Sequence, residues 1–309
     1  MAFVAADTTQ LGYIPEESWG VIPATPNWKL LRMTSESLQI DRSTVTSSEI
    51  RPDRNVADLI TVGGGASGGF NFELSYGIFD GLIAAVLESE WNMDKVVNGA
   101  KQTSFALEKR LALGEDNYEY HRFTGMTPNT LSLNCETQQI VTGSFGFMGK
   151  GGAVDSAIVS GAQYTDAPTD SIMNTSSHFA NLTVTGAANP CIQSLSIEIS
   201  NALRARNAVG SLDSIGIGGG RFSVTGSMNC YFESNSLYKK FLDDEAVSLS
   251  FVVGTTTNKK YKITMPRIKF SGGAPAAGGN DQDVMVNLSY QAIFDSVLGG
   301  TMSIERGVA

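Results

Sequence analysis

The feature that most constrains this chain is a repetition: seven segments of recognisable type follow one another in the first half and again, in the same order, in the second. "SLQI" at 37–40 is answered by "SLSIEIS" at 194–200, and "RPDRN" at 51–55 by "RARN" at 204–207. The glycine-then-aromatic run "TVGGGASGGFNFELSYGIF" is matched by "GIGGGRFSVTGSMNCYF". After each comes a stretch with helical spacing, "FDGLIAAVLESEW" and then "ESNSLYKKFLDDE". Three alternating runs close each half: "TSFALEK", "YEYHRFTGMTPNTL" and "QIVTGSFGFMG", then "SLSFVVG", "KKYKITMPRIKF" and "VMVNLSYQAIF". The offset drifts from about 157 to about 143 residues, so no single likeness is strong. Agreement of order and type through seven segments marks an internal duplication with a period of about 150 residues.

Within each copy, alternation of apolar and polar residues predicts strands, and one short helix interrupts them. In the first helix Leu82, Val86 and Leu87 share a side and Asp80 is placed to cap the N-terminus; in the second, Ser234 or Asn235 takes that role. The glycines of 63–69 read as a turn between two strands. Residues 1–27 hold Pro15, Pro23 and Pro26 without a sustained period and read as an arm, anchored by Tyr13, Trp19 and Trp28. The expected division is an arm over 1–27, a first domain over 28–148, a Gly/Ala/Ser/Thr-rich linker or large loop over 149–185, and a second domain over 186–309. Gly, Ser, Thr and Asn are abundant and charged residues make up 17% of the chain, which favours a mainly β protein with many turns.

The formal charge is −9 and unevenly placed: residues 1–150 carry 11 basic against 18 acidic side chains, residues 151–309 carry 11 against 13. Without a Lys/Arg cluster, an outer surface of this kind is poorly suited to grip a phosphate backbone. Cys135, Cys191 and Cys230 are three scattered singles, read as small packed residues with reduced thiols. No run approaches the ~18 apolar residues of a membrane span, so synthesis in the cytoplasm without membrane insertion is expected.

Catalytic chemistry finds little foothold. His121 sits inside an alternating strand and His178 in the loop-like region, and no Gly-x-Ser-x-Gly elbow is present. The glycine runs open into strands rather than helices, which suits close backbone approach better than a phosphate cradle. Asp243, Asp244 and Glu245, and Asp281 with Asp283, lack the ligand spacing of a calcium loop. The expectation is therefore no catalytic residue, no metal and no cofactor. The aromatics Phe70, Phe72, Tyr76, Phe145 and Phe147 alternate along strands and read as packing rather than a base-stacking platform.

Several diffuse segments together carry a resemblance over nearly the whole chain. The stretch "YKITMPRIKF" with Pro266-Arg267, a Gly/Asp loop, the strand 284–293, Phe294-Asp295 and Gly299-Gly300 resembles the end of tail tube proteins of long, non-contractile bacteriophage tails. "GYIPEESWGVIPATPNWKLLRMTSESL" resembles the family's opening, and "EIRPDRN" at 49–55 the part that precedes its first inner loop. The resemblance implies two tandem tail-tube domains, each a β-sandwich that forms part of a barrel and carries one flanking helix. It implies a structural virion protein that polymerises into stacked rings, with three chains giving six quasi-equivalent domains in preference to six chains. The partners it implies are other copies of the chain, the tail terminator and the distal tail proteins. The tape measure protein and genomic DNA would pass through the lumen without specific binding.

For such a lumen, acidic or small neutral side chains are expected, because they make DNA contact repulsive or weak. Three chains of −9 give a ring of −27. Glu73, Glu119 and Glu136 are the lumen candidates by alternation, and Gly272 to Asp283, with Gly272, Gly273, Asp281 and Asp283, is the candidate inter-subunit loop. Two other readings stay open: a phage decoration or baseplate protein or other β-sandwich binding module, and an enzyme with an unrecognised site.

Overall fold

The structure, a computed structural model, describes residues 4–114, 117–185, 190–254 and 256–308. It is mainly β, as expected, with two seven-residue α-helices. The first half contains β1 (Gln10–Pro15), β2 (Asn27–Leu30), β3 (Ser35–Glu36), β4 (Gln39–Thr46), β5 (Leu59–Glu73), α1 (Asp80–Val86), β6 (Lys95–Val97), β7 (Phe105–Gly114), β8 (Asn117–Glu136) and β9 (Thr142–Gly149). Three strands follow before the second alternating series: β10 (Gly151–Asp155), β11 (Gln163–Thr165) and β12 (Phe179–Val184). The remainder is β13 (Ile192–Ser200), β14 (Arg204–Arg206), β15 (Gly216–Gly218), β16 (Ser223–Tyr231), α2 (Ser236–Leu242), β17 (Val247–Val253), β18 (Tyr261–Gly272), β19 (Pro275–Ala276), β20 (Met285–Ala292) and β21 (Ser303–Arg306).

Two series of strands pair in the same order. In the first, β3 and β4 lie against β5, β5 against β9, β9 against β8 and β8 against β7, all antiparallel. In the second, β13 lies against β16, β16 against β20, β20 against β18 and β18 against β17, again all antiparallel. The series meet where the end of β8 pairs with β13, from Thr130 opposite Ser200 to Glu136 opposite Ser194. One sheet thus runs through both halves. The twenty-residue β8 serves two neighbourhoods, since its first part pairs with β7 and β10 and its last part with β9 and β13. Gly125, with φ of +67°, stands between the two parts.

One face of this sheet is apolar and packs into a core that spans both halves. Phe70 and Phe72 of β5, Phe79 before α1 and Phe145 of β9 cluster there, with Phe72 and Phe79 ring centroids 4.3 Å apart and Phe72 and Phe145 5.2 Å apart. Each such buried aromatic contributes roughly 1.5–3 kcal/mol. In the second half Met228, Leu288 and Tyr290 occupy the corresponding layer, and the Tyr290 hydroxyl donates to the Ser196 carbonyl at 2.8 Å. Burial pushes the Tyr290 phenol well above its ordinary range.

Several local expectations need correction. The glycine run 63–69 is not a turn but the middle of the fifteen-residue β5, where a β-carbon on Gly69 would run into the Phe145 carbonyl. The arm is partly strand, because β1 pairs with both β7 and β2 and buries Leu11 and Tyr13. The region 149–185 contains β10, β11 and β12, each of which finds a distant edge: β8, β2 and β17. Asp80 does not cap α1; its carboxylate accepts from the Tyr261 hydroxyl and from Arg306 Nη1 at 2.6 Å, tying α1 to the second half. Neither Ser234 nor Asn235 makes a side-chain N-cap bond to α2; Ser234 Oγ instead accepts from the Ser236 N–H at 3.3 Å. Cys135 and Cys230 are buried, whereas Cys191 is exposed. Glu115 and Asp116, between β7 and β8, lie outside the described residues.

Candidate functional site

The face of the continuous sheet opposite the core is built almost wholly from hydroxyl and amide side chains. Strand alternation produces it: where Leu131, Leu133 and Cys135 point to the core, Thr130, Ser132, Asn134 and Glu136 point away. The cross-strand register arranges these residues in rows. One row runs Glu73, Thr142, Asn134, Ser196, Ser227 and Ser289. The next runs Asn71, Ser144, Ser132, Glu198, Thr225 and Gln291. Neighbours bond sideways, Ser132 Oγ to Ser144 Oγ at 2.8 Å and Ser196 Oγ to Ser227 Oγ at 3.0 Å. Such pairing occupies part of the hydrogen-bonding capacity that a passing ligand would otherwise find free.

Of the three carboxylates expected to share a surface, Glu73 and Glu136 lie on this face. Glu119 does not join its rows: it sits on the first part of β8, opposite Leu111, with its Oε1 3.4 Å from His121 Nε2. Glu198 occupies a place in the rows that sequence reasoning missed. Its signal was present in "SLSIEIS", where Leu195, Ile197 and Ile199 are buried and Glu198 is the alternate residue.

The two ends of the sheet differ. At one end the β4–β5 hairpin reaches beyond Gly63 and exposes Val45, Ile50, Val56, Leu59, Ile60 and Val62, with Ile50 97% exposed. Beside it, the connection after β13 exposes Val209, Leu212 and Ile215. The two are joined by the Gly64 N–H to Leu212 carbonyl bond of 2.8 Å and by an Arg42–Asp213 ion pair of 3.4 Å. Exposed apolar clusters of this kind mark contact surfaces. At the opposite end lie the 137–141 turn and the 273–284 connection, the latter with Asp281 and Asp283 exposed and Asp281 at φ +62°. Gly272 is the last residue of β18, and Gly273, at φ +141°, follows it.

A buried charge cluster fastens the outer layer. Arg122 Nε donates to Glu108 Oε2 at 2.6 Å, Arg122 Nη2 to the Ala157 carbonyl at 2.7 Å, and the Tyr164 hydroxyl to Glu108 Oε1 at 2.6 Å. Burial, reinforced by Glu108, pushes the Tyr164 phenol far up. The group pins the segment carrying β10 and β11 across β7 and β8, which is a structural task. His178 Nδ1 accepts from the Asn174 N–H at 3.1 Å in the segment before β12. Among the described residues, no three His, Cys, Asp or Glu side chains converge as a metal site, and no helix is long and apolar enough to cross a membrane.

No curated protein matches the chain. A family model described as phage tail tube protein matches residues 6–292 of the 309. With nearly its whole length matched and a mainly β fold to go with it, the chain belongs to the phage tail tube family, a structural component of the virion tail.

Proposed function

We propose that three copies of this chain close into a ring of six quasi-equivalent domains, and that rings stack into the hollow tube through which DNA leaves the virion for the host. The observation that carries this reading is the paired topology: two strand series of identical order joined edge to edge, with one polar face running across both. An open sheet of that kind leaves edges that further copies can occupy, and full closure removes them. The face of hydroxyls and amides, with Glu73, Glu136 and Glu198 as its acidic members, turns to the lumen. It offers DNA no phosphate-gripping cluster and a mildly repulsive field, so a genome slides past.

Stacking is head to tail. The apolar hairpin end of one ring meets the opposite end of the next, including the connection that carries Asp281 and Asp283, a contact that repeats without closing and therefore grows a filament. The tape measure protein occupies the lumen before DNA does, and the terminator and distal tail proteins cap the two ends. The duplicated domains run over 28–148 and 186–309, as their strand order supports. The chain works by assembly rather than catalysis, and its synthesis belongs to the host cytoplasm. Negative-stain and electron cryo-microscopy of the purified chain at rising concentration test this. Hollow tubes with three chains per ring are expected; six chains per ring would overturn the stoichiometry, and permanent monomers that never enter virions would favour a decoration or baseplate role.

A further inference from the structure

The junction inside the chain specifies the junction between chains. Four strands set the equivalence of the halves: Phe70 faces Phe145 in the first half as Gly226 faces Tyr290 in the second, and Phe72 faces Gly143 as Met228 faces Leu288. Leu131 lies opposite Phe145, and Phe270 opposite Tyr290, so the end of β18 stands where the end of β8 stands. Glu36 lies opposite Phe70, and Ile197 opposite Gly226, so β3 with the start of β4 stands where β13 stands. In the first half the end of β8 is completed by β13. Its counterpart at the end of β18 has β20 on one side, while on the other the pairing with β17 stops at Ile268. The outer edge of β3 and β4 likewise has no strand partner among the described residues.

This second edge is closed off by side chains. The Leu38 N–H donates to Glu36 Oε2 at 2.9 Å, and Lys109 Nζ, itself 3.2 Å from Glu36 Oε1, donates to the Leu38 carbonyl at 3.4 Å. Charged groups set over an edge in this way oppose premature pairing.

We propose that neighbouring copies join by antiparallel pairing of residues 33–40 of one with 268–275 of the next. The register is the one that β13 and β8 already use. Carried over from Ile199 opposite Leu131, it sets Leu38 opposite Phe270, and the bulge of β18 between Phe270 and Gly272 leaves Ser271 and Gly272 together opposite Ser37. The faces agree: Ser37 and Ser271 are exposed, whereas Leu38 and Phe270 are buried on the core side. Gly272 and Gly273 then fall within the junction, and Glu36 and Lys109 release the Leu38 backbone when the neighbour arrives. This rests on the ring reading above and names the strands that close the ring.

The test is a Ser37→Cys, Ser271→Cys double variant in a Cys191→Ser background, assembled under reducing conditions and then oxidised. Directly opposed strand residues lie within disulfide reach. Covalent dimers and trimers that collapse to monomer on reduction are expected, with either single variant remaining monomeric. A pair shifted by two residues, Ser37→Cys with Lys269→Cys, should link about tenfold less; equal or better linking would overturn the register. Rings visible by microscopy without any cross-link would overturn the junction and leave the ring reading standing. No rings from the unsubstituted chain would overturn both. Hydrogen exchange on the unsubstituted chain covers the case of a misfolded variant: amides of 36–40 and 269–273 should slow at least about tenfold on assembly, and unchanged exchange would overturn the proposal.

Discussion

At the scale of single residues, the one deeply buried ion pair among the described residues carries the clearest consequence. Arg122 and Glu108 side chains are 7% and 1% exposed, so deleting one strands the other without water. Arg122→Ala should cost about 3–5 kcal/mol of unfolding free energy in urea titrations, whereas Glu108→Gln with Arg122→Met should cost distinctly less, because no charge is left alone. The buried thiols give a pH signature. Burial raises Cys135 and Cys230 from an ordinary 9.0 to about 12, so the folded state keeps protons that the unfolded chain loses above pH 9. Stability is therefore full below pH 9 and falls as pH rises towards 12, by about 1.4 kcal/mol per pH unit for each thiol. Denaturation midpoints between pH 8 and 10 measure the slope, and Cys135→Ala with Cys230→Ala should flatten it. Above pH 10 the buried phenols Tyr261 and Tyr290, raised first by desolvation, add loss of the same sign.

Elements differ in how much of them sequence revealed. Replacing 47–58 by a two-residue Asn-Gly turn should leave the thermal midpoint within a few degrees while abolishing tube formation, as sedimentation would show, since the hairpin's apolar residues lie outside the core. Strands that pair with a sequence neighbour, such as β7 with β8 or β8 with β9, were legible from alternation alone. β10, β11 and β12 were not. Their Gly/Ala/Ser/Thr-rich text carries little period, and what makes them strands is an edge supplied from elsewhere. The same reason hid β5's continuity, because glycines that resemble a turn in sequence serve here to let β9 approach closely. Alternation put Glu73 and Glu136 on the polar face of the sheet but could not tell that β8 changes neighbourhood after Gly125, which separates Glu119 from them.

For the whole molecule the proposal to test is that the polar face lines the lumen as a smooth, weakly interacting surface. Ser227→Arg with Ser132→Arg adds two positive charges per chain to neighbouring rows of the polar face. Tubes should still form, and genome release into liposome-bound receptor preparations, followed by a DNA-binding dye, should slow several-fold with a delay that shortens as salt rises. An effect on assembly alone, with ejection unchanged, would place this face elsewhere than the lumen.

The two halves also differ where they should differ least. The first half extends its β4–β5 hairpin into solvent, while the second folds the matching connection back beside it, bonded through Gly64, Leu212 and the Arg42–Asp213 pair. In the proposed ring of three chains, long and short projections would alternate, so the ring would map onto itself after 120° but not after 60°. Each ring can then seat on the one beneath in three equivalent phases and is excluded from the three between them. On that reading a twist error of one domain is refused at the moment of docking, and angular order passes from ring to ring along the tube.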